Sequence, residues 1–139
     1  GGNNSVACGH DGKIHLTKYF TSLPTLLRIG ALIHEARHAE EDGLVKWSHT
    51  QCPIPFLDER GNNVLGILGT PLAGVHGRCD KSPVGAYGIQ AILMKNIEKH
   101  CESCALSLRK AAGVFGDDAL LRVTDPDAKE KLRQDLLQN

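Results

Sequence analysis

Aromatic side chains are scarce in this chain. Phe, Trp and Tyr make up 4% of its 139 residues, and there is one Met. A core of stacked rings is therefore excluded, and Leu, Ile, Val and Ala must fill it. Net charge is missing too, because 16 basic residues balance 16 acidic ones. No global field favours nucleic acid or an anionic membrane surface, so no nucleic-acid partner is expected. No apolar stretch approaches the roughly 20 residues of a membrane span. The first residues, Gly1-Gly2-Asn3-Asn4, are neither basic nor followed by an apolar segment, so no signal peptide is read there. The length suits one domain over 1–139, trimmed or cut from a longer chain.

What is present begins with five cysteines, Cys8, Cys52, Cys79, Cys101 and Cys104. In an oxidising compartment four can pair and one is left over. We therefore expect an exported protein, secreted or periplasmic. Cys52 and Cys79 flank an irregular region, 43–83, that holds four of the six prolines. A bridge between them would staple that loop, removing about 3–4 kcal/mol of unfolded-chain entropy. Cys101-Glu102-Ser103-Cys104 reads as a redox pair, as part of a structural zinc site with His100 and Cys8 or His10, or as a short disulfide. The disulfide, within this pair or from this region to Cys8, is the favoured reading.

The pattern predicts a mainly α (α+β) chain, with a long helix packed on a second, a short strand or small sheet, and a long loop region. Residues 1–12 read as a loop. Residues 13–17 alternate, predicting a strand with Ile14 and Leu16 inward. A helix follows from about Leu23 to Asp42, capped by Thr21 or Ser22 and stopped by Gly43. Its apolar surface is Leu26, Leu27, Ile29, Leu32, Ile33 and Ala36, with Gly30 allowing a close neighbour. Asn62-Asn63 and the residues to Gly69 suggest a turn and short strand. Helical periodicity returns at Val84, with 100–104 at its middle or at a break, and Ala111-Ala112-Gly113 closing it. Met94 falls inside it as core. A short segment, Asp117 to Val123, precedes a last helix capped by Asp125 with Pro126 at its first position. Leu132, Leu136 and Leu137 are that helix's apolar stripe.

Inside the first helix stands His34-Glu35-Ala36-Arg37-His38. Residues four apart share a helix face, so His34 and His38 can offer two imidazole nitrogens to one ion. Glu35 is then placed for a water on the metal rather than for the metal itself. A helix with two surface histidines and a charged Glu35–Arg37 face explains the residue types but not their order. Arg37 faces away and is expected to pair with Glu41 or Asp42.

This H-E-x-x-H segment resembles the active-site helix of the zincin metallopeptidases, over about twenty residues. The resemblance implies Zn2+ as cofactor, with three protein ligands and one open position. It implies a peptide or protein substrate, cleaved by a metal-activated water with Glu35 as general base. It also implies that the strand at 13–17 runs beside the helix and holds substrate backbone.

The third ligand decides the subfamily. The metzincin pattern H-E-x-x-H-x-x-G-x-x-H is similar, but Gly43 comes two residues late and His49 follows it by six rather than three. His49 remains the leading third ligand, because a wider turn costs little extra entropy. Asp80 is the second candidate, since Ser82-Pro83-Val84-Gly85-Ala86-Tyr87-Gly88 partly resembles the aspzincin signature G-T-x-D-x-x-Y-G. Val84 stands where that aspartate belongs and cannot bind metal. His76 and Glu98 are further options. Tyr87 is a candidate catalytic residue, donating to an oxyanion, or else a packed helix-start tyrosine.

Two rivals belong to other classes. One is a non-catalytic zinc-binding interaction domain whose four protein ligands close the site. The other is a thiol oxidoreductase using Cys101 and Cys104.

Overall fold

The computed structural model describes residues 7–10, 12–40, 47–66 and 68–138. The chain is mainly helical, as expected. Its elements are β1 (Ala7–His10), β2 (Lys13–Leu16), a 3-10 turn (Phe20–Ser22), α1 (Thr25–Ala39), α2 (Ala86–His100), α3 (Leu106–Leu121) and α4 (Pro126–Gln138). Among the described residues no helix is long and apolar enough to cross a membrane.

β1 and β2 form an antiparallel hairpin, with Ala7 opposite Leu16 and His10 opposite Lys13. Within the loop expected over 1–12, Ala7–His10 is therefore a strand. The overlooked signal is Asp11-Gly12, a dipeptide suited to two-residue hairpin turns, with Gly12 at φ 69°. Ile14 and Leu16 do not point inward, being 37% and 52% exposed. Alternation in a strand marks two faces without saying which is covered.

α1 starts later than expected. Pro24 is its N-cap without a side-chain bond, while the Ser22 hydroxyl donates back to the Tyr19 carbonyl, 2.9 Å away, inside the preceding turn. Gly43 lies outside the described residues. Leu26, Gly30 and His34 are its buried positions, four apart, whereas Ile29 and Leu32 are exposed. This narrow stripe meets α2. A Cβ at Gly30 would stand 2.8 Å from Met94 Cε, so the glycine permits the approach. Met94 is fully buried, with Leu26 and Ala112 beside it.

Of the two readings of 100–104, mid-helix or break, the break is the one observed, and the helical stretch from Val84 is two helices. The apolar pattern runs on, but the chain breaks at Cys101–Ala105, closed by a Cys101–Cys104 disulfide. Those sulfurs are bonded to each other, so neither serves a zinc site there. Gly113 does not end a helix. It lies inside α3, where the Glu98 side chain fills the space a Cβ would take. α3 also absorbs the separate segment expected from Asp117, running to Leu121.

α4 begins as expected, with the Ala128 amide donating to Asp125 Oδ1 at 2.8 Å. Leu132 and Leu136 are buried with Ala91, Ala119, Leu120 and Val123, but Leu137 is 74% exposed.

The region between α1 and α2 has a core of its own. Phe56, Val64 and Leu72 pack around the Cys52–Cys79 disulfide. The strand suggested after Asn63 is reduced to isolated bridges, Leu57 to Asn63 and Leu65 to Pro71. Antiparallel pairing of Thr50 with Cys79 and parallel pairing of Asp80 with Val123 tie this region to the end of α3.

Candidate metal centre

His34 and His38 sit one turn apart on α1, as the spacing dictates. His49 comes from the segment beyond α1 and is held by its neighbour. The Thr50 amide donates to the Cys79 carbonyl at 2.6 Å, beside the disulfide. The three rings converge through their Nε2 atoms. His49 Nε2 lies 3.0 Å from that of His34 and 3.0 Å from that of His38. Nitrogens bound tetrahedrally at about 2.0–2.1 Å stand about 3.3 Å apart, so this spacing suits one ion. The group His34–His38–His49 could hold a metal.

The opposite nitrogens fix the tautomers. His34 Nδ1 donates to Gln90 Oε1 at 3.0 Å. His49 Nδ1 donates to Asp80 Oδ1 at 2.6 Å. A carboxylate only accepts, so in a neutral His49 ring Nε2 carries a lone pair, and so does that of a neutral His34. Two lone pairs 3.0 Å apart repel unless a cation or a shared proton lies between them. Donation from the far nitrogen to a carboxylate or carbonyl oxygen is also the usual support of metal-binding histidines. Burial first, then the charges of His49 and His38, lowers the His34 pKa to about 3, so the ring is neutral at physiological pH and its Nε2 is free to bind.

Asp80 is thus not a ligand beside His49 but its support. Its second oxygen, Oδ2, accepts the Tyr87 amide at 3.0 Å in the first turn of α2, satisfying an otherwise orphaned donor. Its backbone is locked as well. The Asp80 amide donates to the Arg122 carbonyl at 2.8 Å, and the Thr124 amide to the Asp80 carbonyl at 2.7 Å. At Gly88 a Cβ would collide with the Pro83 carbonyl, so only glycine lets the 80–85 turn lie against α2.

Tyr87 enters ring first, 4.6 Å from the His34 ring centroid and 5.0 Å from that of His49. Its hydroxyl accepts from Arg122 Nη1 at 3.2 Å. Burial raises the phenol pKa, against the pull of Arg122, so it stays protonated at neutral pH. Glu35 is half-buried on α1 beside His34. Arg37 pairs with Glu40 at 2.7 Å and lies over the Trp47 ring at 4.7 Å, while its expected partners Glu41 and Asp42 lie outside the described residues. His76 is exposed and Glu98 is bonded to Lys95, and neither joins the histidine group. An open cleft of about 360 Å³ lies against His49 and Asp80, walled by Trp47, Thr50, Lys81 and Ser82.

Sequence reasoning missed Gln90 and the supporting role of Asp80. A signal for Gln90 was present. Tyr87, Gln90, Ala91 and Met94 follow the spacing of one helix face, and a lone amide on such a face implies a polar partner opposite. The chain matches no family model, no curated protein and no solved structure, so the reading of this centre rests on its own geometry.

Proposed function

We propose that the protein is a zinc-dependent hydrolase of peptide bonds, with the metal held by His34, His38 and His49. The carrying observation is the convergence of three Nε2 atoms, two of them oriented from behind by Gln90 and Asp80. When bound, zinc supplies a Lewis acid that polarises a carbonyl and makes water acidic near neutral pH. Glu35, one residue after His34, takes the water proton and returns it to the leaving amine. The Tyr87 ring packs the two histidines in place, and the 360 Å³ cleft at His49 receives the substrate. Three protein ligands among the described residues favour this reading over the closed structural site, because they leave a coordination position for substrate. The two disulfides fit an oxidising location, and the reading takes the protein to be secreted or periplasmic.

Glu35→Gln tests the assignment. The variant should bind zinc like the parent and lose peptide hydrolysis by about 10²–10⁴-fold, the range of general acid–base catalysis. Undiminished hydrolysis by that variant would falsify the mechanism. Absence of bound metal after zinc is supplied to the parent would remove the centre itself.

A further inference from the structure

A cleft of about 540 Å³ lies between α2, α3, α4 and the turn at 58–62, and shares no lining residue with the histidine centre. That volume is in the range of small-molecule sites. Leu120 and Leu136, both buried, belong to its lining together with the exposed Leu137. Its charges do not cancel locally. Each acid on the wall is already engaged. Glu59 pairs with Arg133 at 2.6 Å, and Lys95 serves both Glu98 and Asp117 at 3.2 and 3.1 Å. Asp58 accepts the amides of Arg60 and Asn62 at 2.9 Å. Lys99 and Lys129 are half-buried, and neither ammonium has a bonded partner among the described residues. Burial and then the Arg133 guanidinium push the Lys129 ammonium pKa down, the sign of a cation short of counter-charge.

Two half-buried lysines lining an apolar cleft, beside carboxylates that are each already hydrogen-bonded, are matched by an anion that brings its own apolar body. We propose that this cleft binds a small carboxylate-headed amphiphile, with Lys129 and Lys99 holding the head and the leucines the chain. The site is independent of the proposed hydrolysis.

Octanoate is the probe, followed by amide NMR on the zinc-loaded protein, with 1-octanol and inorganic phosphate as separate arms. Octanoate should give saturable shifts on α3 and α4. Octanol, lacking the charge, and phosphate, lacking the chain, should each bind at least about tenfold more weakly, as loss of a charged hydrogen bond or of apolar burial implies. Lys129→Met should weaken octanoate by about tenfold and leave octanol unchanged, and Lys99→Met should act in the same direction. The proposal is overturned if octanoate gives no saturable shift, or if its shifts are confined to α1 and 47–50. It is equally overturned if octanol or phosphate binds as tightly, or if both lysine variants bind octanoate like the parent.

Discussion

Asp80 holds His49 by a 2.6 Å bond from Nδ1 to one carboxylate oxygen, while its other oxygen takes the Tyr87 amide at the start of α2. One side chain therefore orients an imidazole of the candidate metal centre and supports the first turn of a helix. Asp80→Ala should lower zinc affinity by about 10–100-fold, as loss of an outer-shell partner does. It should also cost about 1 kcal/mol of stability through the lost cap. Competitive zinc titration and urea denaturation read the two effects separately. Unchanged zinc affinity in a folded variant would refute the supporting role.

Gln90 is the corresponding partner of His34, at 3.0 Å. Gln90→Leu leaves the His34 Nδ1 proton without an acceptor in a buried place, a cost of about 1–3 kcal/mol. Gln90→Glu restores an acceptor and adds a negative charge. It should bind zinc at least as tightly as the parent, whereas the leucine variant binds more weakly. The order of the three affinities is the measurement.

The depressed His34 pKa predicts how the metal-free protein responds to acid. The unfolded ring takes its proton near 6.5 and the folded ring near 3. Between those values the unfolded state binds more protons, so stability falls as pH falls through that window. The contribution is fully present above pH 6.5 and gone below about 3. Its size is on the order of a few kcal/mol, because each pH unit separating the two values is worth about 1.4 kcal/mol. Urea midpoints at pH 7 and pH 4 should differ by more in the parent than in His34→Gln. Equal differences would contradict the prediction.

Gly30 and Gly88 should tolerate alanine unequally. At Gly30 the obstacle is the flexible end of Met94, 2.8 Å from the added Cβ, and alanine's helix propensity offsets part of the overpacking. A net loss of about 1–2 kcal/mol is expected. At Gly88 the obstacle is backbone, the Pro83 carbonyl, so the turn carrying Asp80 must move. Gly88→Ala should cost more stability and, unlike Gly30→Ala, should also weaken zinc binding through His49.

The His34–His38 pair is legible in the sequence because the helical period alone sets its geometry. His49 is reachable by the chemistry of a glycine turn, although Gly43 lies outside the described residues. Asp80 and Gln90 are not legible as partners. Each meets its histidine across the fold, 31 and 56 residues away in sequence, through contacts that no local pattern encodes. The break after α2 is only half legible, open between a break and a mid-helix position, for a different reason. Apolar residues continue through it, so the periodicity does not separate one helix from two. The facing of the hairpin strands is illegible because what covers a strand is decided by tertiary packing.

The Cys52–Cys79 bridge has a bearing on when the centre can exist at all. Cys79 is adjacent to Asp80, and its backbone partner Thr50 is adjacent to His49, so the crosslink brings together the two segments that carry the imidazole and its carboxylate. Thiol oxidation should therefore precede ion capture during maturation. On the proposed assignment, a chain kept reduced would chelate poorly even with zinc abundant, and the redox poise of its surroundings would govern its loading.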